Sequence, residues 1–281
     1  MFKLIILLFS LVVLKADGLT FVVANDSPYH TDNQLTSACE IRYLPNKDWS
    51  FHAGMDMYTP RNKKTASPVL GQHPYNTWVY FGAAYQKEIK SIPILSSIKF
   101  DLGGRGPHVQ GGKVQEEIHS FTGGAKVNGW DSETPNEFGY LGTSVLEYAI
   151  LEPFPSLERY LQISLFSDIK LGSIIENYSA GMSMTLGYNV PNYHTLHVMP
   201  GIEAFYLFGS IQSINVKKNR FLDGNDIYNV EKVHHIKRYD IGVNMDFKKF
   251  RMRMIAVTQG RTFITQKNIH RYAILEFGFA F

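Results

Sequence analysis

The amino-acid sequence predicts an all-β protein, a twelve-stranded antiparallel transmembrane β-barrel with a short helix in an outer loop. Apolar and polar residues alternate with period two in many short segments, the pattern of strands with one greasy and one wet face. Aromatic residues make up 14% of the 281 residues and charged residues only 19%. The chain ends on Phe277-Gly278-Phe279-Ala280-Phe281. Such an apolar edge invites aggregation in a soluble sheet, whereas barrel closure pairs it.

Taken in chain order, residues 1–18 read as a removable leader, and 19–281 as one barrel domain. Leu4 to Leu14 is apolar behind Lys3, and Ala16-Asp17-Gly18 offers the small residues that a signal peptidase reads. That run is too short to span a bilayer as a helix, and no other stretch approaches the roughly 18 uncharged residues a spanning helix needs. Strands are expected at about 19–26, 35–44, 49–58, 76–88, 95–106, 138–150, 158–170, 177–189, 194–209, 234–247, 249–259 and 269–281. Their number is even, as in single-chain bacterial barrels.

In the second strand Leu35, Ser37, Cys39, Ile41 and Tyr43 alternate with Thr36, Glu40 and Arg42. In the eighth, Tyr178, Ala180, Met182, Met184, Leu186 and Tyr188 oppose Ser179, Gly181, Ser183, Thr185 and Gly187. The tenth sets Tyr239, Ile241, Val243, Met245 and Phe247 against Arg238, Asp240, Gly242, Asn244 and Asp246. In the eleventh, Phe250, Met252 and Met254 oppose Arg251 and Arg253. A soluble sandwich would bury the apolar face against a second sheet, and a membrane barrel turns it to lipid and keeps charges in a wet lumen. The terminal aromatic strand, similar to those by which outer-membrane barrels are recognised for assembly, favours the barrel.

Between the fifth and sixth strands, residues 107–137 lose the period-two pattern and are long for a structureless loop. Lys113 to Phe121 reads as a helix there, with Val114, Ile118 and Phe121 on one face and Gly123-Gly124 ending the run. Gln115 and His119, four apart, share a neighbouring face, so a helix lying against the barrel wall would present an imidazole beside an amide. The net charge of +3, changed little by loss of the leader's Lys3, Lys15 and Asp17, gives no reason to expect a nucleic-acid partner. Cys39 is the single cysteine, so no intrachain disulfide can form.

The residues further resemble the outer-membrane lipid A 3'-O-deacylases. The resemblance runs through Val23-Ala24-Asn25-Asp26, Thr31-Asp32, Thr36, Asp56-Met57-Tyr58-Thr59-Pro60 and Gly71-Gln72-His73-Pro74-Tyr75. It continues with Gly106-Pro107, Gly111-Gly112, Gln115, His119, Gly129-Trp130 and Asn136-Glu137, and covers about the first half of the chain. It implies a site between the barrel wall and a loop helix, a calcium ion that polarises the ester carbonyl, and a histidine that activates water. By that resemblance His119 is the general base, Asn25 and Asp26 bind the metal or orient the site, Thr36 supplies a hydroxyl, and Lys63 (or Lys64) is the site lysine.

The chain departs from the family pattern in places. Ala125 stands where a member has an acidic residue, Gln72-His73-Pro74-Tyr75 where the family has Asp-Arg-Pro-Tyr, and Glu133 where it has glutamine.

The leading expectation is calcium-dependent hydrolysis of the 3'-linked acyl ester of lipid A, the lipid anchor of lipopolysaccharide, in the outer leaflet of the bacterial outer membrane. An outer-membrane phospholipase and a non-enzymatic pore or scaffold barrel are the alternatives, and lumenal Arg238, Arg251 and Arg253 suit a pore as well as structural pairing.

Overall fold

The computed structural model describes residues 17–29, 34–89, 91–124, 126–150, 160–195, 203–223 and 227–281. Almost all of the expected leader, together with Thr31, Asp32 and Ala125, lies outside the described residues. Twelve antiparallel strands form one closed barrel. They are β1 (Gly18–Asn25), β2 (Gln34–Leu44), β3 (Trp49–Thr59), β4 (Asn76–Ile89), β5 (Ile94–Arg105) and β6 (Glu137–Ala149), followed by β7 (Leu161–Gly172), β8 (Ile175–Tyr188), β9 (Ala204–Asn219), β10 (His235–Phe247), β11 (Phe250–Gln259) and β12 (His270–Ala280). Closure joins the first strand to the last, with Leu19 opposite Phe279, Phe21 opposite Phe277 and Asn25 opposite Ala273. The aromatic terminal strand is therefore paired along its length, and among the described residues no helix is long and apolar enough to cross a membrane.

The ninth strand differs from expectation. Its described strand is Ala204–Asn219, so the segment beyond 209 belongs to it, and residues 196–202 of the expected strand lie outside the described residues. The bias toward small and polar residues in Gly209–Asn219 hid a strand whose inward face meets a crowded lumen. Strand β2 carries a second departure: the register shifts between Leu35 and Ser37, leaving Thr36 bulged out of the ladder opposite β3. A bulge re-aims a side chain without disturbing the rest of the strand.

The inward faces form a filled, ion-paired interior. Glu40 pairs with Arg42 at 2.5 Å and with Lys99 at 2.9 Å, and Lys99 lies 3.6 Å from Asp101, which also meets His52. Arg251 grips Asp246 through two hydrogen bonds of 2.7 Å, and Arg253 lies 4.3 Å over the Phe208 ring. Charges taken from water are tolerated because each finds an opposite partner or a donor. Lumenal Arg238 likewise pairs with Asp240 at 2.9 Å. Of the arginines that the sequence left open between solute passage and structural pairing, Arg238 and Arg251 make ion pairs, and Arg253 lies over Phe208 with its guanidinium 3.5 Å from His194 Nδ1.

The helix α1 (Gly111–Thr122) is two residues longer at its start than the sequence predicts and sits in the β5–β6 loop at the end of the barrel where β1 finishes. Its wall-facing side is not the apolar stripe. Gly111 and Gln115 are buried, whereas Ile118 is 43% and Phe121 93% exposed. The reason is close approach. A Cβ at Gly111 would collide with the Thr77 hydroxyl, and one at Gly112 would lie 2.6 Å from Trp130 Cγ. Only glycine lets the first turn touch the wall, and the contact surface there is a hydroxyl and a ring edge rather than an apolar patch.

The segment after α1 clamps it. Trp130 donates its indole N–H to Gln115 Oε1 at 2.7 Å and packs on Tyr75 with ring centroids 5.0 Å apart. Ser132 Oγ lies 2.8 Å from the Tyr228 hydroxyl, and Asn136 Oδ1 accepts the His108 backbone N–H at 2.8 Å. At the base of the loop, Glu137 holds Arg105 at 2.7 Å and Arg220 at 2.9 Å. Glu133 is buried in this clamp, and burial pushes its carboxyl up to about 7, against hydrogen bonds from Thr77 and the charge of Arg105.

Two outcomes follow from this clamp. Gly112→Leu should overpack the helix against Trp130 at a cost of about 1–3 kcal/mol. It is expected to expose residues 111–130 to protease in intact membranes, while the barrel keeps its heat-modifiable mobility on gels. Glu133 carries a raised carboxyl, so its burial costs stability as pH rises from the ordinary 4.5 through about 7. Glu133→Gln should therefore slow hydrogen exchange in the clamp at pH 8 and leave it unchanged at pH 4. Equal exchange at both pH values would place the carboxylate in contact with water.

Candidate functional site

The parity of the strands fixes which side of the wall carries the site. On β3, Met57 and Thr59 share the outward parity of Trp49 and Phe51, which are 45% and 49% exposed, yet both are 0% exposed. On β4, Thr77 likewise continues the outward row of Val79 and Phe81 and is fully buried. On β1, Asn25 follows exposed Phe21 and Val23. Above the lipid-facing belt, α1 and the segments around it thus roof the outer surface of β1–β4.

Under that roof lies a cleft of about 570 Å³. The wall contributes Asn25, Thr36, Ser37 and Met57, the β3–β4 loop contributes Arg61, Asn62, Lys63 and Lys64, and the helix side contributes Gln115, Ile118, His119 and Lys126. Of the residues expected from sequence, His119, Asn25, Thr36 and Lys63 meet in this one cleft, and Lys64 lines it too. The bulge at Thr36 explains its presence: its hydroxyl turns outward to hydrogen bond Thr59 Oγ1, where strict alternation would turn it into the lumen.

The β3–β4 loop is tied to the helix side, since Asn128 donates its backbone N–H to the Lys63 carbonyl at 3.0 Å. His119 stands in the last turns of α1, and Gly124, whose N–H bonds the His119 carbonyl at 2.9 Å, lies directly against its ring. A Cβ on Gly124 would come 2.7 Å from His119 Cγ, so this second close approach fixes where the imidazole can sit.

Gln115 beside it is 3% exposed, its Oε1 occupied by Trp130 and its Nε2 without a hydrogen-bond partner among the described residues. Flipping is excluded by the indole, which can only donate. The amide N–H₂ is therefore a buried donor at the cleft, and buried donors are costly to leave unmatched.

Asp26 does not line the cleft. It is fully buried, with Oδ2 3.7 Å from His270 Nε2, while the adjacent Asn25 Oδ1 accepts the Ser27 N–H at 2.6 Å. Among the described residues no Asp or Glu lines the cleft, and Arg61, Lys63, Lys64 and Lys126 do. No group of three or more His, Cys, Asp or Glu among the described residues is placed to hold a metal. The described residues do not fit a tight resident calcium ion, because a hard dication selects carboxylate oxygens and four cations oppose it.

Sequence reasoning missed Arg61 and Lys126 and gave Gln115 no role. The run Arg61-Asn62-Lys63-Lys64 directly after Pro60 was the available signal for an anion-facing loop. His73, where the family pattern has arginine, packs between Tyr58 at 5.1 Å and Phe263 at 6.1 Å. Burial there holds its imidazole down to about 4, so it is a neutral aromatic and not a cation in arginine's place.

A family model described as outer membrane protein LpxR matches residues 4–281. Among solved structures, LpxR from Salmonella typhimurium matches with a TM-score of 0.79 at 17% identity, covering 94% of this chain and 100% of that chain. The β domain of the Bordetella autotransporter Brka aligns at a TM-score of 0.47 and 11% identity over 95% of this chain and 100% of that chain. No curated protein sequence gives a significant match. The twelve-strand barrel is that of the Salmonella protein, and the family match spans nearly the whole chain: the protein belongs to the outer membrane protein LpxR family.

Proposed function

We propose that the protein hydrolyses the 3'-linked acyl ester of lipid A in the outer leaflet of the outer membrane, with His119 as general base. The observation that supports this above all is the position of the cleft. It lies on the outer surface of the wall, directly above rows of lipid-facing side chains, and joins an imidazole to four cations. A phosphorylated glycolipid standing in the leaflet offers its acyl chains to the wall and its anionic head to those cations. A solute passing through the lumen would meet none of these groups.

In this reading His119 accepts a proton from water as the water oxygen attacks the ester carbonyl. The Gln115 amide, held by Trp130, donates to the oxygen that becomes negative in the tetrahedral intermediate. When the intermediate collapses, the C–O bond to the sugar breaks, and the imidazolium returns its proton to the departing oxygen. The products are a free fatty acid and a 3'-hydroxyl. Arg61, Lys63, Lys64 and Lys126 hold the phosphates and so set the register of the ester, and the Asn25 and Thr36 side chains line the wall opposite the helix. Calcium, expected from the resemblance to sit at Asn25 and Asp26, would polarise the ester carbonyl; with the donors present it can bind only weakly.

His119→Ala and His119→Gln should each cut deacylation by about 10²- to 10⁴-fold with the barrel still inserted, because a loop-helix side chain opens no cavity among the strands. Mass spectrometry of lipid A from cells carrying each variant at matched levels reads this directly. Wild-type activity in either variant would make another residue the base. Fatty acid released from phospholipid in place of lipid A would assign the phospholipase reading.

Gln115→Ala should lower kcat by about 10²-fold with little change in KM, as removal of an oxyanion donor does. A rise in KM alone would limit Gln115 to substrate binding. Calcium titrated into chelator-treated protein should act at about 10⁻³ M, in the range of carboxylate-poor sites. Activation in the micromolar range would require a carboxylate-rich site absent from the described residues.

A further inference from the structure

A second cavity, of about 830 Å³, opens beside the first on the same outer end. It lies between the β3–β4 loop and the β11–β12 loop, and Arg61, Asn62 and Lys64 line both cavities. The segment 61–64 is thus a shared wall, with His119 on one side. On the other side the rim carries Arg61, Lys64 and Lys267, and no acidic residue among the described residues lines it.

Its floor is built rather than incidental. Gln34, His73 and Gln266 are each more than nine-tenths buried and all line the cavity. Gln266 Oε1 accepts the Thr262 N–H at 2.7 Å and its Nε2 donates to the Asn268 carbonyl at 2.6 Å, which fixes the β11–β12 loop. Thr265 Oγ1 donates to the Gly71 carbonyl at 2.7 Å and so bridges the two loops that form the cavity, and Gln72 Oε1 accepts the Asn62 N–H at 2.9 Å within the β3–β4 loop. His73 Nδ1 donates to the Pro74 carbonyl at 2.7 Å, so its other ring nitrogen is an acceptor on a neutral ring. Gln34 is held at φ 100°, a backbone conformation that costs a non-glycine residue energy and that surrounding structure must enforce.

Rigid polar floor, cationic rim and a volume within the usual range of ligand pockets suit a sugar that carries negative charge. Leu70 and Phe263 are the two large aliphatic or phenyl side chains among the residues that line it, beside Gln34, Arg61, Asn62, Lys64, Gln72 and Lys267. We infer that this second cavity is a saccharide subsite, which takes the anionic sugars attached to the glycolipid while the ester lies against His119 across the Arg61–Lys64 wall. The inference rests on the deacylase reading for the identity of the lipid, and on the cavity alone for the chemistry of the sugar. It gives the shared loop a purpose: one ligand engages both faces of the same cationic segment, so the saccharide sets how far the lipid slides into the first cleft.

Lys267 lines only the second cavity and makes the separable test. In detergent micelles the wild type should show a KM about tenfold lower for lipopolysaccharide bearing its anionic inner sugars than for free lipid A, and Lys267→Glu should erase that preference. Lys267→Gln should give an intermediate ratio. A preference kept intact in Lys267→Glu, in protein with normal heat-modifiable mobility, overturns the subsite. A readout free of catalysis uses the delipidated acidic oligosaccharide itself, titrated into protein isotopically labelled for NMR. Shifts at residues 262–268 that vanish in Lys267→Glu support the subsite, and no shift overturns it. Repeating the titration with dephosphorylated oligosaccharide separates the two sources of charge: binding kept assigns sugar carboxylates, binding lost assigns phosphates. Saccharide binding without deacylation would leave the subsite standing and remove the enzymatic reading, whereas deacylation without saccharide binding would do the reverse.

Discussion

Everything in this molecule depends on the pairing of its first strand with its last. A sheet in lipid cannot leave backbone groups unpaired, since no water is there to satisfy them. The antiparallel register that sets Asn25 opposite Ala273 closes the sheet. The end of β1 lies beside β2, and β2 beside β3, through their own antiparallel ladders. Asn25, Thr36 and Met57 become neighbours through the β1–β2 and β2–β3 pairings, and closure holds those three strands in one curved wall. On that stiff wall a loop helix can be held to within one glycine Cβ of contact, and the position of His119 follows.

The barrel was legible because its rule is local. Alternation in 177–189 and 234–247 names the lipid face without knowledge of any partner strand, and the observed strands Ile175–Tyr188 and His235–Phe247 agree. The ninth strand was not legible at its C-terminal end, because Gly209 to Asn219 alternates only weakly between apolar and polar residues. Thr36 illustrates the harder limit. A single bulged residue reverses its side, and nothing in Leu35-Thr36-Ser37 announces the bulge; only pairing with β3 does.

The helix was legible as a helix, and the face by which it docks was not. Val114, Ile118 and Phe121 obey helical spacing, which is a statement about one face and not about what that face meets. The wall offers Thr77 and the clamping segment offers Trp130 at the point of contact, so the face that docks is the one with no side chain at Gly111 and Gly112. The motif resemblance carried Gly111-Gly112, Gln115 and Gly129-Trp130 as fragments, and the fold explains them together. They are the glycine, amide and indole of one clamp, and Glu133 stands in that clamp where the family pattern has an uncharged amide.

In the deacylase reading proposed above, the outward position of the cleft changes the energetics of turnover. An enzyme whose site lies in a lumen must lift a lipid out of its leaflet, against about 0.8 kcal/mol for each methylene withdrawn from hydrocarbon. Here the roof stands over the outer surface of β1–β4, so acyl chains can remain among their neighbours while the head enters sideways. Encounter then becomes diffusion in two dimensions. Its rate is governed by how tightly adjacent glycolipids pack and by the ions that bridge them, and a stiffer leaflet would throttle the enzyme without touching a single residue of its site.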